Sequence, residues 1–430
     1  MTRKQLRGRQ LTKQDAKTLS LSSLGGALEF YDFIVFLTFA STLKVLFFPA
    51  ESELIATIMT YLTYAIAYFV RPLSGIVLAH FGDLIGRKKV FMFSLFMMAI
   101  PTLCIGLLPT FESIGYLAPI LLLTMRILQG VALGGEVPSA HVFVTEHVPR
   151  SRFGIANSAI AAGLTFGVLI GHFVSTMMSI SFTAEETLSY AWRIPFILGG
   201  VLGLLAVYLR RYLQETPVFL EMQKKKSLHS GTPMKTVLKD FRPQAFIATL
   251  STWLLIAGVV LVLLAPNLMK SDMFGMDASF VNRAALVATF MNIVGSFSAG
   301  ILVDRIGLRK TLFGFAVLLA ITSFIFFHSL GSSDLSKVGV LYAIASFFLG
   351  IVACVPMIII RLFPADIRLT GMGFAYNIGN AIFAGLTTFL VPVIAEIFHP
   401  MFIAYYILFL CALGVFLSIY LGKKSLPSYI

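Results

Sequence analysis

The sequence predicts an all-α membrane protein with twelve transmembrane helices, arranged as two six-helix pseudo-repeats. Its 430 residues are 58% hydrophobic and only 12% charged, whereas soluble domains carry about 25% charged residues. Apolar stretches of about 20 residues, enough to cross the ~30 Å hydrocarbon layer of a bilayer, recur along the whole length. A charged loop motif recurs about half a chain apart. These three observations predict a polytopic protein built from two similar halves.

The apolar stretches define the predicted spans, and a polar stretch separates the sixth span from the seventh. The first six spans are predicted at 19–42, 54–79, 90–109, 118–140, 155–178 and 192–212. The second six are predicted at 244–266, 281–303, 311–331, 338–360, 371–396 and 400–422. The predicted domains are an N-terminal tail (1–18), an N-terminal bundle (19–212), a linker (213–243), a C-terminal bundle (244–422) and a C-terminal tail (423–430).

The net charge of +13 follows from membrane topology. Most of the 33 Lys and Arg residues fall in the N-terminal tail and in the loops that follow even-numbered spans. The positive-inside rule places such loops in the cytoplasm, so both termini are predicted on the cytoplasmic side of the cell membrane. The basicity therefore does not indicate a nucleic-acid partner.

Several functional classes find no support in the sequence. Cys104, Cys354 and Cys411 all fall within predicted spans, which is typical of small apolar side chains rather than disulfides. The chain contains no His/Cys cluster, nucleotide-binding glycine loop or nucleophile elbow. We therefore expect no metal, no cofactor and no enzymatic activity. The expected partners are a small-molecule substrate, protons and the bilayer, with a monomer as the expected unit.

An internal repeat relates the two halves. The segment "HFGDLIGRKKV" after the second span matches "GILVDRIGLRKTL" after the eighth. A second match links "TEHVPRSRFG" after the fourth span to "IRLFPADIRLTG" after the tenth. The aligned pairs are Asp83 with Asp304, Gly86 with Gly307, Lys88 with Arg309, and Pro149 with Pro364. Parallel halves that rock around a central site are a known transporter plan.

The first span carries two acidic residues, Glu29 and Asp32, which share a helix face. A charged carboxylate at mid-membrane costs roughly 2.5–3.5 kcal/mol on insertion scales, so this face must look into the bundle or a watery cavity. The acids could form a permanent packing salt bridge or carry a proton. Proton transfer is favoured because ionisable groups inside spans mark proton paths.

Helix depth suggests partners for these acids. At ~1.5 Å per residue, Asp32 and Arg126 lie at a similar depth and are predicted to pair, as are Arg71 and Glu136. An arginine fork also suits a substrate carboxylate, although Arg71 could instead snorkel to the inner surface. The predicted proton-coupling residues are Glu29, Asp32, Arg126 and Glu136. The predicted substrate-binding residues are Tyr31, Arg71, Arg126, Gln129, Asn292 and Asn377.

The repeated loop resembles the signature of the major facilitator superfamily. Other segments resemble its metabolite:proton symporter group, and together they cover essentially the whole chain. They are "EFYDF" (29–33), "RP" (71–72), "RILQGVALGGE" (126–136), "WRIPF" (192–196), "ETPVF" (215–219) and "LFPADIR" (362–368). The resemblance implies the major facilitator fold and transport of osmolytes, citrate, oxoglutarate, shikimate or similar small metabolites with protons.

The resemblance also implies a cytoplasmic gate, because in the family these loops latch the halves together while the carrier faces outward. The predicted gate residues are Asp83, Gly86, Arg87, Lys88, Glu146, Arg152, Gly300, Asp304, Arg305, Gly307 and Arg309. The chain departs from the family pattern at Leu84, at Pro138 and at Arg361, which stands where an acidic residue is usual. These departures make the charge network at the gate asymmetric.

The predicted function is proton-coupled symport of a small organic metabolite, either a carboxylate or a zwitterionic osmolyte, by alternating access across the cytoplasmic membrane. One alternative is a proton-driven exporter of a larger compound such as a drug or siderophore. Another is a non-transporting membrane sensor, against which the absence of a long soluble signalling segment counts. The sequence leaves the substrate open.

Overall fold

The residues that the structure describes form twelve long helices. The computed structural model describes residues 10–48, 53–225, 232–270, 273–397 and 401–422, and no strand occurs in these ranges. Ten of the described helices are long and apolar enough to cross a membrane. Two further helices, Glu53–Ile85 and Arg368–Ile397, have comparable length and bring the number to twelve. The predicted all-α, twelve-helix fold is confirmed.

The helices divide into two groups of six. The N-terminal half contains α1 (Lys13–Thr38), α2 (Glu53–Ile85), α3 (Arg87–Leu107), α4 (Leu117–His147), α5 (Phe153–Ser181) and α6 (Arg193–Arg210). The C-terminal half contains α7 (Arg242–Lys270), α8 (Ala278–Ile306), α9 (Leu308–His328), α10 (Leu335–Leu362), α11 (Arg368–Ile397) and α12 (Phe402–Tyr420). Short helices occupy Ala40–Phe47, Phe111–Ile114, Ala184–Glu186, Pro217–Lys224 and Pro233–Asp240.

The helix ends follow local sequence signals. Thr12 and Asp15 form a capping box, so α1 begins at Lys13 and not at residue 19 as predicted. Gly86 and Gly307 separate α2 from α3 and α8 from α9, with φ values of 118° and 89°. Few residues other than glycine tolerate that backbone conformation, which explains the glycine in both repeated loops. Residues 1–9 and 423–430 of the predicted tails and 226–231 of the linker lie outside the described residues.

The two halves differ in helix regularity. In the C-terminal half, α7 passes through a 3₁₀ turn at Trp253–Leu255 and a π turn at Val259–Leu264. In the same half, α10 contains a 3₁₀ turn at Leu349–Ala353. Their counterparts α1 and α4 are continuous helices. Such interruptions in a long helix often mark hinges.

The described segments next to both termini lie at one end of the bundle. Near the start of α1, the Lys17 ammonium lies 5.2 Å from the centre of the Tyr212 ring, just after α6. Near the end of α12, the Ser418 hydroxyl donates to the carbonyl of Arg309 in the first turn of α9. We call this end the basic end, because the Lys- and Arg-rich loops lie there, and the other the opposite end.

The halves meet along two helix pairs, α5 with α8 and α2 with α11. Small residues allow the close approach: a Cβ added at Gly300 would lie 2.8 Å from the Gly154 carbonyl oxygen, and one added at Gly373 would lie 2.6 Å from the Ala79 Cβ. The described hydrogen bonds between the halves cluster at the basic end, and the deepest of them involve Asn377. The basic end is therefore closed.

Candidate functional site

The buried charges in the interior of the bundle lie in the N-terminal half. Away from the helix ends, the described part of the C-terminal half contributes uncharged polar side chains such as Asn292 and Asn377, both buried. Deeper than the latch residues described below, the N-terminal half contributes three buried carboxylates and three buried arginines: Glu29, Asp32, Arg71, Arg126, Glu136 and Arg210. The structure arranges these six as three acid–arginine pairs.

The first pair is Asp32 with Arg126, which the sequence analysis predicted. The Nη1 of Arg126 lies 3.0 Å from Oδ2 of Asp32, and both side chains are 1% exposed. The other carboxylate oxygen, Oδ1, accepts hydrogen bonds from Thr102 Oγ1 at 3.1 Å and Gln129 Nε2 at 2.9 Å. The Arg126 guanidinium stacks over the Phe36 ring at 4.2 Å. Helix depth alone identified the pair, whereas the contribution of Thr102 was missed.

The second pair is Glu136 with Arg210, and it corrects the prediction that Glu136 pairs with Arg71. Arg210 holds the carboxylate with both Nη atoms, at 2.7 and 3.2 Å, and Ser94 adds a hydrogen bond of 3.0 Å. Arg210 was not among the proton-coupling or substrate-binding residues predicted from the sequence. In the structure it is the last residue of α6, and its guanidinium turns back into the bundle over the Phe91 ring at 3.7 Å.

The third pair is Glu29 with Arg71. Arg71 Nη1 lies 3.6 Å from Oε1 of Glu29, which is longer than a hydrogen bond. The Arg71 Nε instead donates to Oδ1 of Asn377 on α11 at 2.9 Å, and the guanidinium lies 5.5 Å from the Tyr376 ring centre. Arg71 is buried, so it does not snorkel to the surface. It joins the two halves.

Three other predicted substrate-binding residues are already engaged. The Tyr31 hydroxyl donates to the carbonyl of Pro195 at 2.7 Å, inside the N-terminal half and away from the interface with the other half. In this closed state the Tyr31 side chain faces the core of its own half, and its contact with substrate stays a prediction. Asn292 accepts a 3.4 Å hydrogen bond from Ser296. The Asn377 amide donates to the carbonyls of Gly134 and Gly373, both at 2.8 Å.

At the basic end, the first latch joins α2, α3 and α4 to α11. Asp83 accepts hydrogen bonds from the backbone N–H of Leu369 and of Thr370, at 3.4 and 2.7 Å, and pairs with Arg87 at 2.9 Å. Glu146 lies between Arg87 Nε at 3.4 Å and Arg368 Nη1 at 3.1 Å. We define the first latch as Asp83, Arg87, Glu146, Arg368 and Thr370. Arg368 was missed as a gate residue from sequence.

The second latch joins α8 and α10 to the start of α5. Asp304 accepts hydrogen bonds from the backbone N–H of Gly154 at 2.6 Å and of Ile155 at 3.1 Å. The Arg361 guanidinium lies 5.3 Å from the Phe153 ring centre. We define the second latch as Phe153, Gly154, Ile155, Asp304 and Arg361. The predicted gate residue Gly300 adjoins it, because a side chain there would overlap Ser158.

The remaining predicted gate residues fall outside the latches. The backbone N–H of Lys88 donates to the Glu215 carboxylate at 3.1 and 3.2 Å, and a side chain at Gly86 would overlap that carboxylate. This part of the loop therefore fixes the start of α3. The side chains of Arg152, Arg305 and Arg309 are exposed in this state, and their part in the gate stays a prediction. Gly307 serves the backbone turn between α8 and α9.

The sequence is similar to a known protein family and to curated proteins over most of its length. The model of the Major Facilitator Superfamily matches residues 23–388. A putative proline/betaine transporter of Staphylococcus aureus (strain COL) is 30% identical over 433 residues, covering 97% of this chain and 91% of the relative. The shikimate transporter of Escherichia coli (strain K12) is 30% identical over 404 residues, covering 90% of this chain and 91% of the relative.

A solved structure has the same fold. The proton:xylose symporter XylE, bound to 6-bromo-6-deoxy-D-glucose, superposes with a TM-score of 0.76 at 17% identity, and the match covers 95% of each chain. The family-model match spans most of the sequence, and the curated relatives match over nearly their full lengths. This chain is a multi-pass membrane protein and belongs to the major facilitator superfamily.

Proposed function

We propose that this protein is a secondary active transporter of the cytoplasmic membrane that imports a small organic metabolite together with protons. The named activities of its relatives, which transport proline/betaine or shikimate, support a small carboxylate or zwitterionic osmolyte as the substrate. XylE, a proton:xylose symporter, supports the coupling to protons. The observation that carries the proposal is the buried Asp32–Arg126 pair. Ionisable side chains inside a membrane span are costly, and the fold does not need them for its stability, so they indicate a function.

The coupling step follows from the geometry of that pair. Burying two charges costs several kcal/mol per ion, and the cost is recovered only while each charge keeps its partner. When Asp32 takes a proton, the Arg126 guanidinium loses its counter-charge and needs another anion. A substrate carboxylate can supply it, because a planar guanidinium binds a carboxylate with two parallel hydrogen bonds. Proton and substrate therefore bind cooperatively, and the loss of either one weakens the binding of the other.

The closed basic end fits the outward-facing half of a transport cycle. The positive-inside rule assigns this end to the cytoplasm, which also puts both termini inside. In this orientation the two latches seal the cytoplasmic side, and substrate reaches the central site from the opposite end. Release into the cell then requires both latches to open as the halves rock about the site.

We propose that the two halves recognise different parts of the substrate. The N-terminal half supplies the buried charges, and the C-terminal half supplies uncharged groups such as Asn292 and the irregular turns of α7 and α10. Charge recognition is therefore assigned to the N-terminal half, and recognition of the rest of the substrate to the C-terminal half. Both halves lie in one chain, so a monomer is proposed as the transporting unit, driven by the proton gradient without a cofactor.

Uptake into proteoliposomes tests the proposal. We expect one class from a labelled panel of zwitterionic osmolytes, citrate, dicarboxylates and aromatic acids to accumulate when the lumen is alkaline, and a protonophore to abolish the accumulation. Asp32→Asn should abolish accumulation but keep substrate exchange, because a neutral amide mimics the protonated acid. Accumulation that ignores the pH gradient, or proton-driven efflux of a larger compound, would contradict the proposal.

A further inference from the structure

The three buried acids differ in how well their negative charge is compensated. Asp32 accepts hydrogen bonds from Arg126, Thr102 and Gln129. Glu136 accepts hydrogen bonds from both Nη atoms of Arg210 and from Ser94. Glu29 has only its 3.6 Å ion pair with Arg71, and its Oε2 is buried without a hydrogen-bond partner among the described residues. Of the three carboxylates, Glu29 therefore has the least to lose when it takes up a proton.

The partner of Glu29 is shared with the other half of the protein. Asn377 inserts from α11 into a notch of the N-terminal half, where a side chain at Gly75 would overlap its amide nitrogen. Its nitrogen donates to the Gly134 carbonyl of α4, and its oxygen accepts from Arg71 Nε. Asn377 is thus a tether between the halves, deeper in the bundle than either latch. We call the hydrogen bonds from Asn377 to Arg71 and Gly134 the Asn377 tether.

Glu29 and Asn377 act on one guanidinium through different nitrogens, because Arg71 Nη1 lies nearest Glu29 and Nε donates to Asn377. A guanidinium attracts an ionised carboxylate more strongly than it attracts a neutral amide, because both partners then carry a full charge. An ionised Glu29 therefore draws Arg71 away from Asn377, across a gap that is still 3.6 Å in the closed state. A protonated Glu29 no longer attracts the guanidinium, and Asn377 becomes its best acceptor.

We propose that Glu29 is a second protonation site of the transport cycle and that it sets the strength of the Asn377 tether through Arg71. Asn377 is a positioning residue in this scheme, since it acts through Arg71 and does not touch the proton. Protonation of Glu29 strengthens the tether and holds the basic end closed, whereas ionisation loosens the tether and favours opening. The inference rests on the proposed function only for the direction in which the cycle runs.

Protonation of Glu29 and closure of the basic end influence each other equally, and this reciprocity gives the switch a role in transport. If protonated Glu29 favours the closed basic end, then the closed state holds that proton more tightly than the open state does. A carrier with a cytoplasmic basic end thus takes the proton from outside and releases it inside. Such a change in affinity assists proton uptake outside and proton release inside, whereas the proton gradient sets the direction of net import.

The other groups facing Glu29 are few. On α4, the charge of Glu136 acts on Glu29, but Arg210 of α6 neutralises it at 2.7 Å. On α11, the Tyr376 ring faces Arg71. On α5, the titratable group is His172, which follows Gly171 at the level of Ile34, more than a helical turn beyond Glu29. Arg71 is therefore the group through which the protonation of Glu29 reaches the interface.

A reporter thiol at the interface makes the switch measurable without transport. Ser158 is fully buried on α5 against Gly300 of the other half, so Ser158→Cys adds a near-isosteric thiol that reacts only when the basic end opens. The background carries alanine in place of Cys104, Cys354 and Cys411. The full-length protein is reconstituted in lipid nanodiscs, and its reaction rate with a soluble maleimide is measured between pH 5.5 and 8.

The variants separate the switch from a merely structural role. Glu29→Gln should react slowly at every pH, and Asn377→Ala should react about tenfold faster, as expected for losing a hydrogen bond to a charged group. The parent rate divided by the Glu29→Gln rate should rise with pH, because Glu29 ionises only in the parent. The reporter thiol ionises in both proteins, so its own pH dependence cancels in this ratio. Asn380→Ala is the matched control, because Asn380 lies on the same helix and donates only to its own backbone at Tyr376. It should behave like the parent.

Two results would overturn the switch. A parent-to-Glu29→Gln ratio that stays flat with pH would show that Glu29 does not titrate with the opening. An unchanged rate in Asn377→Ala would show that Asn377 does not hold the halves together, and Asn377→Ser repeats this test if the alanine variant misfolds. Neither result depends on uptake, so failure of the switch is distinguishable from failure of symport, which the proteoliposome assay reports.

Discussion

The two latches at the basic end occupy equivalent places in the repeat but are built from different interactions. In each, an aspartate at the end of an even-numbered helix accepts hydrogen bonds from the first backbone N–H groups of a helix in the other half. Asp83 holds the start of α11, and Asp304 holds the start of α5. Both carboxylates use the partial positive charge at a helix N-terminus.

The surroundings of the two aspartates differ at each equivalent position. Arg87, buried beside Asp83, is replaced by Leu308 beside Asp304. Glu146 is replaced by Arg361, and Arg368 by Phe153. The first latch is therefore a buried network of alternating charges, whereas the second consists of a helix cap and an arginine stacked on an aromatic ring. The two halves of the repeat thus share the contact between aspartate and backbone, whereas the charged residues around that contact differ. The two latches should therefore respond differently to substitution.

Among the substitutions that distinguish the two latches, Arg87→Ala should destabilise its latch the most. It leaves the Asp83 and Glu146 carboxylates buried without the cation that lies between them. Breaking a buried ion pair in this way costs about 3–5 kcal/mol. Hydrogen exchange of the Leu369 and Thr370 amides, followed by mass spectrometry, should accelerate by at least two orders of magnitude. Exposed Lys89→Ala is the control, and equal exchange in both variants would show that the charge network does not hold the latch.

Gly300→Ala should open the second latch by steric conflict. The added methyl would overlap Ser158 Oγ and lie 2.8 Å from the Gly154 carbonyl oxygen, which is backbone and cannot move aside. Overpacking of this kind typically costs about 1–3 kcal/mol. We expect faster exchange of the Gly154 and Ile155 amides and little change at Thr370. Gly314→Ala, where a methyl meets open space, is the matched control. Unchanged exchange at Ile155 in Gly300→Ala would argue against tight packing at this latch.

The two aspartate variants compare the latches directly. Asp304→Asn removes a charge from a helix N-terminus, worth about 0.3–2 kcal/mol. Asp83→Asn removes the same interaction and also the buried pair with Arg87, so its effect should be larger. Each substitution destabilises the closed basic end, so the carrier should return to that state more slowly, and substrate exchange at saturation should fall more than substrate binding does. Equal effects of the two variants would show that Arg87 adds nothing to the first latch.

Arg309→Ala should have the smallest effect. The Arg309 side chain is exposed, and exposed charges contribute about 0–1 kcal/mol. Exchange at the Gly154 amide and the transport rate should both remain within twofold of the unsubstituted protein. A marked loss of transport would show that Arg309 takes part in the latch when the halves move.

The sequence was sufficient for the fold and for the first acid–arginine pair. Hydrophobic length fixed the spans, and depth along the helices brought Asp32 and Arg126 together. Depth did not fix the partners of Arg71 and Glu136, because depth says nothing about which direction a side chain takes around its helix. Arg210 was missed because a cation at the end of a span resembles a surface anchor until the structure shows its guanidinium folded inward.

The positions of Tyr31 and of the second-loop arginines in this state also have physical explanations. Tyr31 follows Glu29 by two residues, which on an α-helix puts it on nearly the opposite face, so the helical period itself separates it from the acids. The gate role implied for Arg305 and Arg309 depended on similarity of the whole loop. Leu308 stands where the first repeated loop has the buried Arg87, and without that buried arginine the second loop leaves its charges at the surface.

The most direct test of proton-coupled symport is substrate binding measured by calorimetry across pH. If protonation of Asp32 frees Arg126 for the substrate carboxylate, substrate affinity in the unsubstituted protein should rise as the pH falls. In Asp32→Asn the affinity should be high at every pH, because Arg126 never has a competing carboxylate. A pH dependence that persists undiminished in Asp32→Asn would contradict the account, since the proton and the substrate would then be linked through some group other than Asp32.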